Sequence, residues 1–280
     1  MLLLLVTQIV NNMEFLLQPV PRFFINQKFG ENNACVRFVN GKSEVITPNK
    51  PGICPDGFQN LYSQTNGHNG LDISARRGDP ILAPCDGIIE EVQTEEARGL
   101  GIGLITTQQY FCKETNKNEY MKMRFWHLKS IEINLGDTVR MGDVIGYADN
   151  TGFSSGDHLH FELKPVLQTN NHWYNILQNN GSLGAIDPFP YFKNLYISKT
   201  LKPKDNNNDV RLLQYALKLL NVFPLDVSCT GYYGDITKQA VKDFQLLYVP
   251  LSYWERLWLN GRSFGEKSLK IINTKFGFKN

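Results

Sequence analysis

The chain's few histidines, His68, His127, His158, His160 and His172, carry most of the chemistry that its side chains offer. His158-Leu159-His160 sits in a run, His158 to Leu163, that alternates as a strand does. Leu159, Phe161 and Leu163 face one way, and His158, His160 and Glu162 face the other. His68 is followed four residues on by Asp72, in a turn that leads into a strand, and Trp126-His127-Leu128 ends another strand. Each signal is weak alone, because a surface strand can carry two histidines by chance and most His-x-x-x-Asp pairs mean nothing. Together they form a set with zinc-ligand chemistry, since imidazole nitrogen and carboxylate oxygen suit Zn²⁺ without cysteine. A catalytic zinc needs three protein ligands and one open position. The set offers three ligands and two spare imidazoles, which is what a hydrolytic site requires; spacing alone leaves open which member of His-x-His binds.

The elements that must position these residues are strands. Short apolar runs punctuated by Gly, Asn, Asp and Pro fill the chain from about Phe24 to Ile197. Residues 81–83, 87–92, 103–106, 123–126, 144–146 and 158–163 read as strands of an antiparallel all-β domain, with 30–66 and 166–185 as long loops framing a site. A polar run with Pro203 and three asparagines, 199–209, reads as a linker. Beyond it the period becomes helical: Val210, Leu213, Leu217 and Leu220 share a face, as do Ala240, Val241, Phe244 and Leu247, and then Leu269, Ile272 and Phe276. Two similar turns, 231–237 and 261–268, precede two of these helices as a weak internal repeat. The expected architecture is α+β and multidomain. An N-terminal segment (1–23) leads to an all-β catalytic domain (24–197), a linker (198–208) and a small three-helix bundle (209–280).

Composition narrows the function. The 280 residues carry 29 Lys and Arg against 27 Asp and Glu, so a dedicated nucleic-acid binder is not expected. No apolar run reaches the roughly 18 residues of a membrane helix, so no membrane insertion is expected. The opening Met1–Val6 lacks the basic region and cleavage site of a signal peptide, and the N-terminus is read as mature. Charge divides unevenly: 12 basic and 7 acidic residues over 200–280, against 17 and 20 elsewhere, give a mildly basic tail. Five cysteines without a CxxC pair exclude a disulfide scaffold or a cysteine zinc ribbon. Cys35 and Cys54 flank one insertion and are able to pair, but free or buried thiols are the expectation, with Cys85 as a small core residue.

Several motifs, in one order, resemble the M23 (lysostaphin-type) zinc peptidases. They are Gln27-Lys-Phe-Gly30, His68-Asn-Gly-Leu-Asp72, Gly78 to Gly87, Trp126-His-Leu128, Gly136 to Gly146, Asn150 to Glu162 and Ala185 to Pro190. The resemblance implies that His68, Asp72 and His160 bind one zinc ion, with His127 and His158 as the catalytic pair beside it. One neutral imidazole of that pair accepts the water proton; the other, protonated, stabilises the oxyanion and passes a proton to the leaving amine. Glu162 faces the same side and is a candidate to orient an imidazole. The insertions 31–66 and 112–122 are expected to rim the cleft, and Asn32 or Asn33 is a conceivable occluder of the metal. His172 matches no motif.

The tail resembles the three-helix peptidoglycan-binding module of cell-wall hydrolases, through Val210 to Gln214, Gly231 to Thr237, Ala240-Val241, Phe244-Gln245 and Gly261 to Ser268. Leu213, Val241 and Phe244 are expected in its core, with Tyr232, Tyr233 and Trp254 as candidates for wall contact. The resemblance thus implies a monomeric zinc endopeptidase acting on bacterial peptidoglycan. A phage-type endolysin, made in host cytoplasm and acting on the wall, is the leading context. A secreted remodelling enzyme and a non-catalytic wall-binding or activator protein are the alternatives.

Overall fold

The computed structural model describes residues 13–40, 42–257, 259, 261 and 263–276. The apolar run Met1–Val6 and Arg262 of the second repeat turn lie outside the described residues. Two compact units emerge: Met1–Val139 with Ile145–Phe192, and Arg140–Val144 with Lys193–Asn280. No described helix is long and apolar enough to cross a membrane.

The first unit is antiparallel β. Its strands are β1 (Ile25–Gln27), β2 (Cys35–Val39), β3 (Lys42–Ile46), β4 (Gln59–Asn60), β5 (Leu71–Ser74), β6 (Pro80–Leu82) and β7 (Gly87–Glu95). There follow β8 (Gly99–Thr106), β9 (Tyr110–Cys112), β10 (Lys117–Ile131), β11 (Thr138–Val139), β12 (Val144–Ala148), β13 (His158–Thr169) and β14 (His172–Asn175). The main sheet runs β1-β5-β13-β10-β8-β7-β11, with β12 and β9 also on β10, β14 on β13, and β6 on β12.

Period-two alternation gives this sheet two different faces. In the β10–β13 pairing Phe125 lies opposite Phe161 and Met123 opposite Leu163, while Leu159 faces Ile73 across to β5. All six are fully buried and form the apolar face of the core. The residues between them are polar: Glu162 opposes Arg124, His160 opposes Trp126 on one side and Asp72 on the other. Register therefore delivers the site residues to one face, and a slip by one residue would invert both.

Four expectations change here. Residues 13–23 belong to the β unit rather than to a separate segment: Phe15, Leu16, Leu17 and Val20 are buried, and Phe15 stacks on Tyr110 at 3.9 Å. Burying such side chains contributes about 1.5–3 kcal/mol each. The 30–66 insertion is not a plain loop but holds a second sheet, ordered β3-β2-β4, and Cys35 and Cys54 are joined as a disulfide. The 166–185 stretch begins as the end of β13, which turns back as β14. Residues 112–122 form the β9–β10 turn and pack near Tyr191, whose hydroxyl accepts from Lys113 N at 3.0 Å.

In the second unit the helices are α1 (Asn208–Leu219), α2 (Asp235–Tyr248), the short α3 (Tyr253–Leu257) and α4 (Glu266–Phe276). Asn207 caps α1 by accepting from Val210 N at 3.2 Å. The 199–209 run is folded into this unit instead of acting as a free linker, because Leu201 is buried and pairs with Phe264, and Asn206 pairs with Tyr232. The weak repeat has a structural basis. Gln214 donates to Thr237 Oγ1 at 2.9 Å and Gln245 to Ser268 Oγ at 3.1 Å, each 23 residues on, so a buried amide pins each turn to the preceding helix. Leu213, Val241 and Phe244 are core residues, whereas Leu247 is exposed.

Candidate active site

Three side chains meet at one point of the polar face. His68 Nε2, Asp72 Oδ1 and His160 Nδ1 lie 2.9 to 3.1 Å from one another. Three corners of a tetrahedron with bonds near 2.0–2.1 Å would stand about 3.3 Å apart, so the spacing is that of a ligand set slightly contracted. The chain also fixes the tautomers. His68 Nδ1 donates to the Lys28 carbonyl at 3.1 Å, which leaves Nε2 as a lone pair. His160 turns Nε2 toward Glu162 Oε1 at 3.4 Å, a contact too poorly aligned for a hydrogen bond but close enough for charge attraction, and presents Nδ1 to the centre. Two imidazole lone pairs and a carboxylate oxygen aimed at each other fit a divalent cation. His68, Asp72 and His160 are also the only described group of three such residues whose ligand atoms gather this closely.

Electrostatics reinforces the set. Burial opposes ionisation of Asp72, but the neighbouring His68, His158 and His160 hold its carboxyl well below the ordinary value. Burial likewise opposes a charge on His160, yet Asp72 and Glu162 raise its pKa to about 9, so a proton would compete with any metal ion for the same Nδ1. Gly70 must lack a side chain here: a Cβ would lie 2.5 Å from the Phe161 carbonyl and 3.0 Å from His160 Nε2.

The other two imidazoles flank this centre, with ring centroids 4.7 Å apart. β10 does not end at His127, as the sequence suggested, but runs on to Ile131 through a bulge. His127 occupies the bulge with φ +65°, a left-handed conformation uncommon for a side-chain-bearing residue. Its Nδ1 donates to the Thr151 carbonyl at 2.6 Å. Burial, with help from His158 and His160, lowers its pKa to about 3. His158 donates from Nδ1 to the Gly156 carbonyl at 2.8 Å and places Nε2 at 3.4 Å from Asp72 Oδ1. Burial works against a charge on His158, but Asp72 outweighs it and raises the pKa. The pair is thus driven apart, one imidazole neutral and the other basic.

Glu162 is fully buried beneath His160 and is not a bare partner. Asn69 Nδ2 donates to it at 2.9 Å, and Lys164 Nζ and Arg124 lie at 3.0 and 3.5 Å. Arg98 and Tyr62 were also missed by sequence reasoning; both line the cleft, and Tyr62 sits 5.7 Å from the His68 ring and hydrogen-bonds Gln27 at 3.1 Å. The cavity over the five residues measures about 530 Å³ and is walled by the β2–β3–β4 insertion, including Asn33. Asn32 and residues 112–122 are not among its lining, so neither occlusion by Asn32 nor the second expected rim is supported.

Comparison with known proteins meets this geometry at the same residues. Residues 66–175, which hold all five site residues, match "Peptidase family M23". Over that span the chain resembles the M23 peptidases. Residues 206–248 match "Putative peptidoglycan binding domain", so the two matches follow one another along the chain. An uncharacterized metalloprotease of Buchnera aphidicola is 33% identical over 120 residues, 42% of this chain and 29% of its own length. Glycyl-glycine endopeptidase ALE-1 of Staphylococcus capitis is 30% identical over 150 residues, 53% of this chain and 35% of its own. The match therefore spans about a third of each of these relatives. Among solved structures, the lysostaphin catalytic domain from Staphylococcus simulans is 22% identical, covering 66% of this chain and 95% of that one with a TM-score of 0.34.

Within the second unit the three aromatic candidates separate. Tyr233 is buried, its hydroxyl donating to the Gly261 carbonyl at 2.9 Å, and is a core residue rather than a wall contact. Tyr232 and Trp254 are exposed.

Proposed function

We propose that this chain is a zinc-dependent endopeptidase that cuts peptide stems or cross-links of bacterial peptidoglycan, with one zinc ion held by His68, Asp72 and His160. The observation that carries the reading is the approach of three lone-pair atoms within 3.1 Å of each other, beside two anchored imidazoles in a solvent-open cleft. A zinc ion there supplies Lewis acidity toward the scissile carbonyl and toward water. The remaining work falls to the chain. His127, kept neutral by burial and held by Thr151, accepts the proton of the attacking water at Nε2. His158, held by Gly156 and kept basic by Asp72, faces the developing oxyanion and then delivers a proton to the leaving amine. Glu162 orients His160.

The second unit, in this reading, anchors the enzyme on the wall, with Tyr232 and Trp254 as contact residues. Anchoring raises the effective substrate concentration without changing the chemistry. The protein acts as a monomer, and the context is that of a phage-type lysin. The secreted alternative has a specific observation in its favour: the Cys35–Cys54 disulfide belongs to an oxidising compartment. Turnover of purified sacculi, with muropeptide masses read before and after chelation and zinc return, is the decisive experiment. Release that survives full metal removal would overturn the mechanism, and the masses would name the bond.

A further inference from the structure

The insertion that walls the cleft presents an apolar strip to it from β2 and β3, next to the polar Gln59 and Asn60 of β4. Val36 and Phe38 lie on the same side of β2, and Val45 of β3 sits opposite Val36. All three line the cavity together with His68, Asp72, His158 and His160. Phe38 is 56% exposed, so its ring offers apolar surface at the mouth of the cleft. Its ring lies edge-on to Phe153 at 5.0 Å, and Phe153 belongs to the same loop as Thr151, whose carbonyl holds His127. A single aromatic contact therefore joins the insertion wall to the loop that sets the catalytic imidazole. The wall contributes no formal charge to the cavity; Asp72 and Arg98 carry the charges of its lining besides the histidines, and Arg98 is paired with Glu95 at 2.7 Å.

We propose that the β2–β3 part of the wall is an apolar side-chain subsite, so that the preferred substrate carries an alkyl side chain beside the bond that is cut and is not a run of glycines. This rests on the peptidase reading of the cleft. A glycine chain lying over the histidines would leave Phe38 and the half-buried Val45 facing water, whereas alkyl groups on the peptide would remove that surface from solvent and rest on buried Val36 behind it. The Cys35–Cys54 bond begins at the residue before Val36 and holds the wall in place.

The test uses the full chain with His127→Ala to stop turnover, and titrates it with the acetylated amides of tetraglycine, tetra-L-alanine and tetra-D-alanine. At least one alanine peptide is expected to bind roughly 10-fold or more tighter than tetraglycine. Phe38→Ser, an exposed change that spares the core, should erase most of that advantage, and Phe38→Leu should restore it. Equal affinity for glycine and alanine peptides, or an advantage untouched by Phe38→Ser, would overturn the subsite. If the unmodified enzyme releases nothing from sacculi, the peptidase reading falls, while the affinity comparison still decides the wall.

Discussion

His160 stands directly opposite Asp72 in the pairing of β13 with β5, and their side chains meet with Nδ1 2.9 Å from Oδ1. The third partner, His68, reaches both from the turn before β5 at 2.9 and 3.1 Å. Because two of the three are set by strand register, the centre is as rigid as the sheet. His160→Ala or Asp72→Ala is expected to take zinc content from about one per chain to near zero, with hydrolysis lost and the circular dichroism of the β unit retained. A variant that still binds zinc stoichiometrically would refute the ligand set.

The pH dependence of metal binding follows from His160. Its Nδ1 must be free of a proton to bind, and Asp72 and Glu162 hold the group's pKa at about 9, against the opposing effect of burial. Below that value protons compete, so apparent zinc affinity should rise with pH, by up to about 10-fold per unit from one competing proton, and level off above about 9. Asp72 stays ionised throughout, being held well below the ordinary carboxylate range, and adds no slope. Chelator competition between pH 6 and 10 measures the curve, and a flat profile would contradict the competition.

Glu162 predicts both a metal effect and a stability effect. Glu162→Gln keeps the shape and the acceptor for Asn69 but removes the charge beside His160 Nε2; measured above about pH 9, where no proton competes for His160, zinc affinity should fall about 10- to 100-fold. Glu162→Ala takes the only described carboxylate partner from buried Lys164, which keeps just the Leu183 carbonyl at 3.0 Å, while Arg124 retains Glu91; the loss should cost about 3–5 kcal/mol in chemical denaturation.

If the second unit anchors the enzyme, truncation after Phe192 should lower activity on whole walls by about 10²-fold or more while sparing soluble peptides. Equal losses on both substrates would count against that division. Trp254→Ala should reproduce part of the wall-specific loss.

The sequence revealed the site better than it revealed the site's surroundings. Alternation in 158–163 put His158, His160 and Glu162 on one face because side-chain type reports directly which way a strand residue points. All six strands read from sequence are present, but β7, β8, β10, β12 and β13 run longer, since pairing with neighbours extends a strand beyond its apolar run. The partners of His68, His127 and His158 are the backbone carbonyls of Lys28, Thr151 and Gly156, and a carbonyl leaves no trace in residue identity. The insertion sheet escaped because its short strands lack sustained alternation, and its disulfide because two cysteines 19 residues apart report nothing about their separation in space. Arg124 did leave a signal, a cation within the apolar run 123–126, and Glu162 is the carboxylate opposite it.

His127 supplies a prediction that isolates chemistry from metal binding. It sits in the β10 bulge with its Nδ1 proton committed to Thr151, and burial keeps it neutral, with a pKa of about 3. It is not one of the three converging ligands. His127→Ala should therefore leave zinc content unchanged and lower kcat by about 10²- to 10⁴-fold, the range of a lost general base, with a much smaller change in KM. The low pKa also sets a sign. His127 remains a neutral acceptor down to about pH 3, so the acid limb of the wild-type kcat profile should not report its protonation, and a variant lacking it should keep the same limb at lower amplitude. A limb that disappears with His127→Ala would show that this imidazole titrates in the working range and would reassign the base.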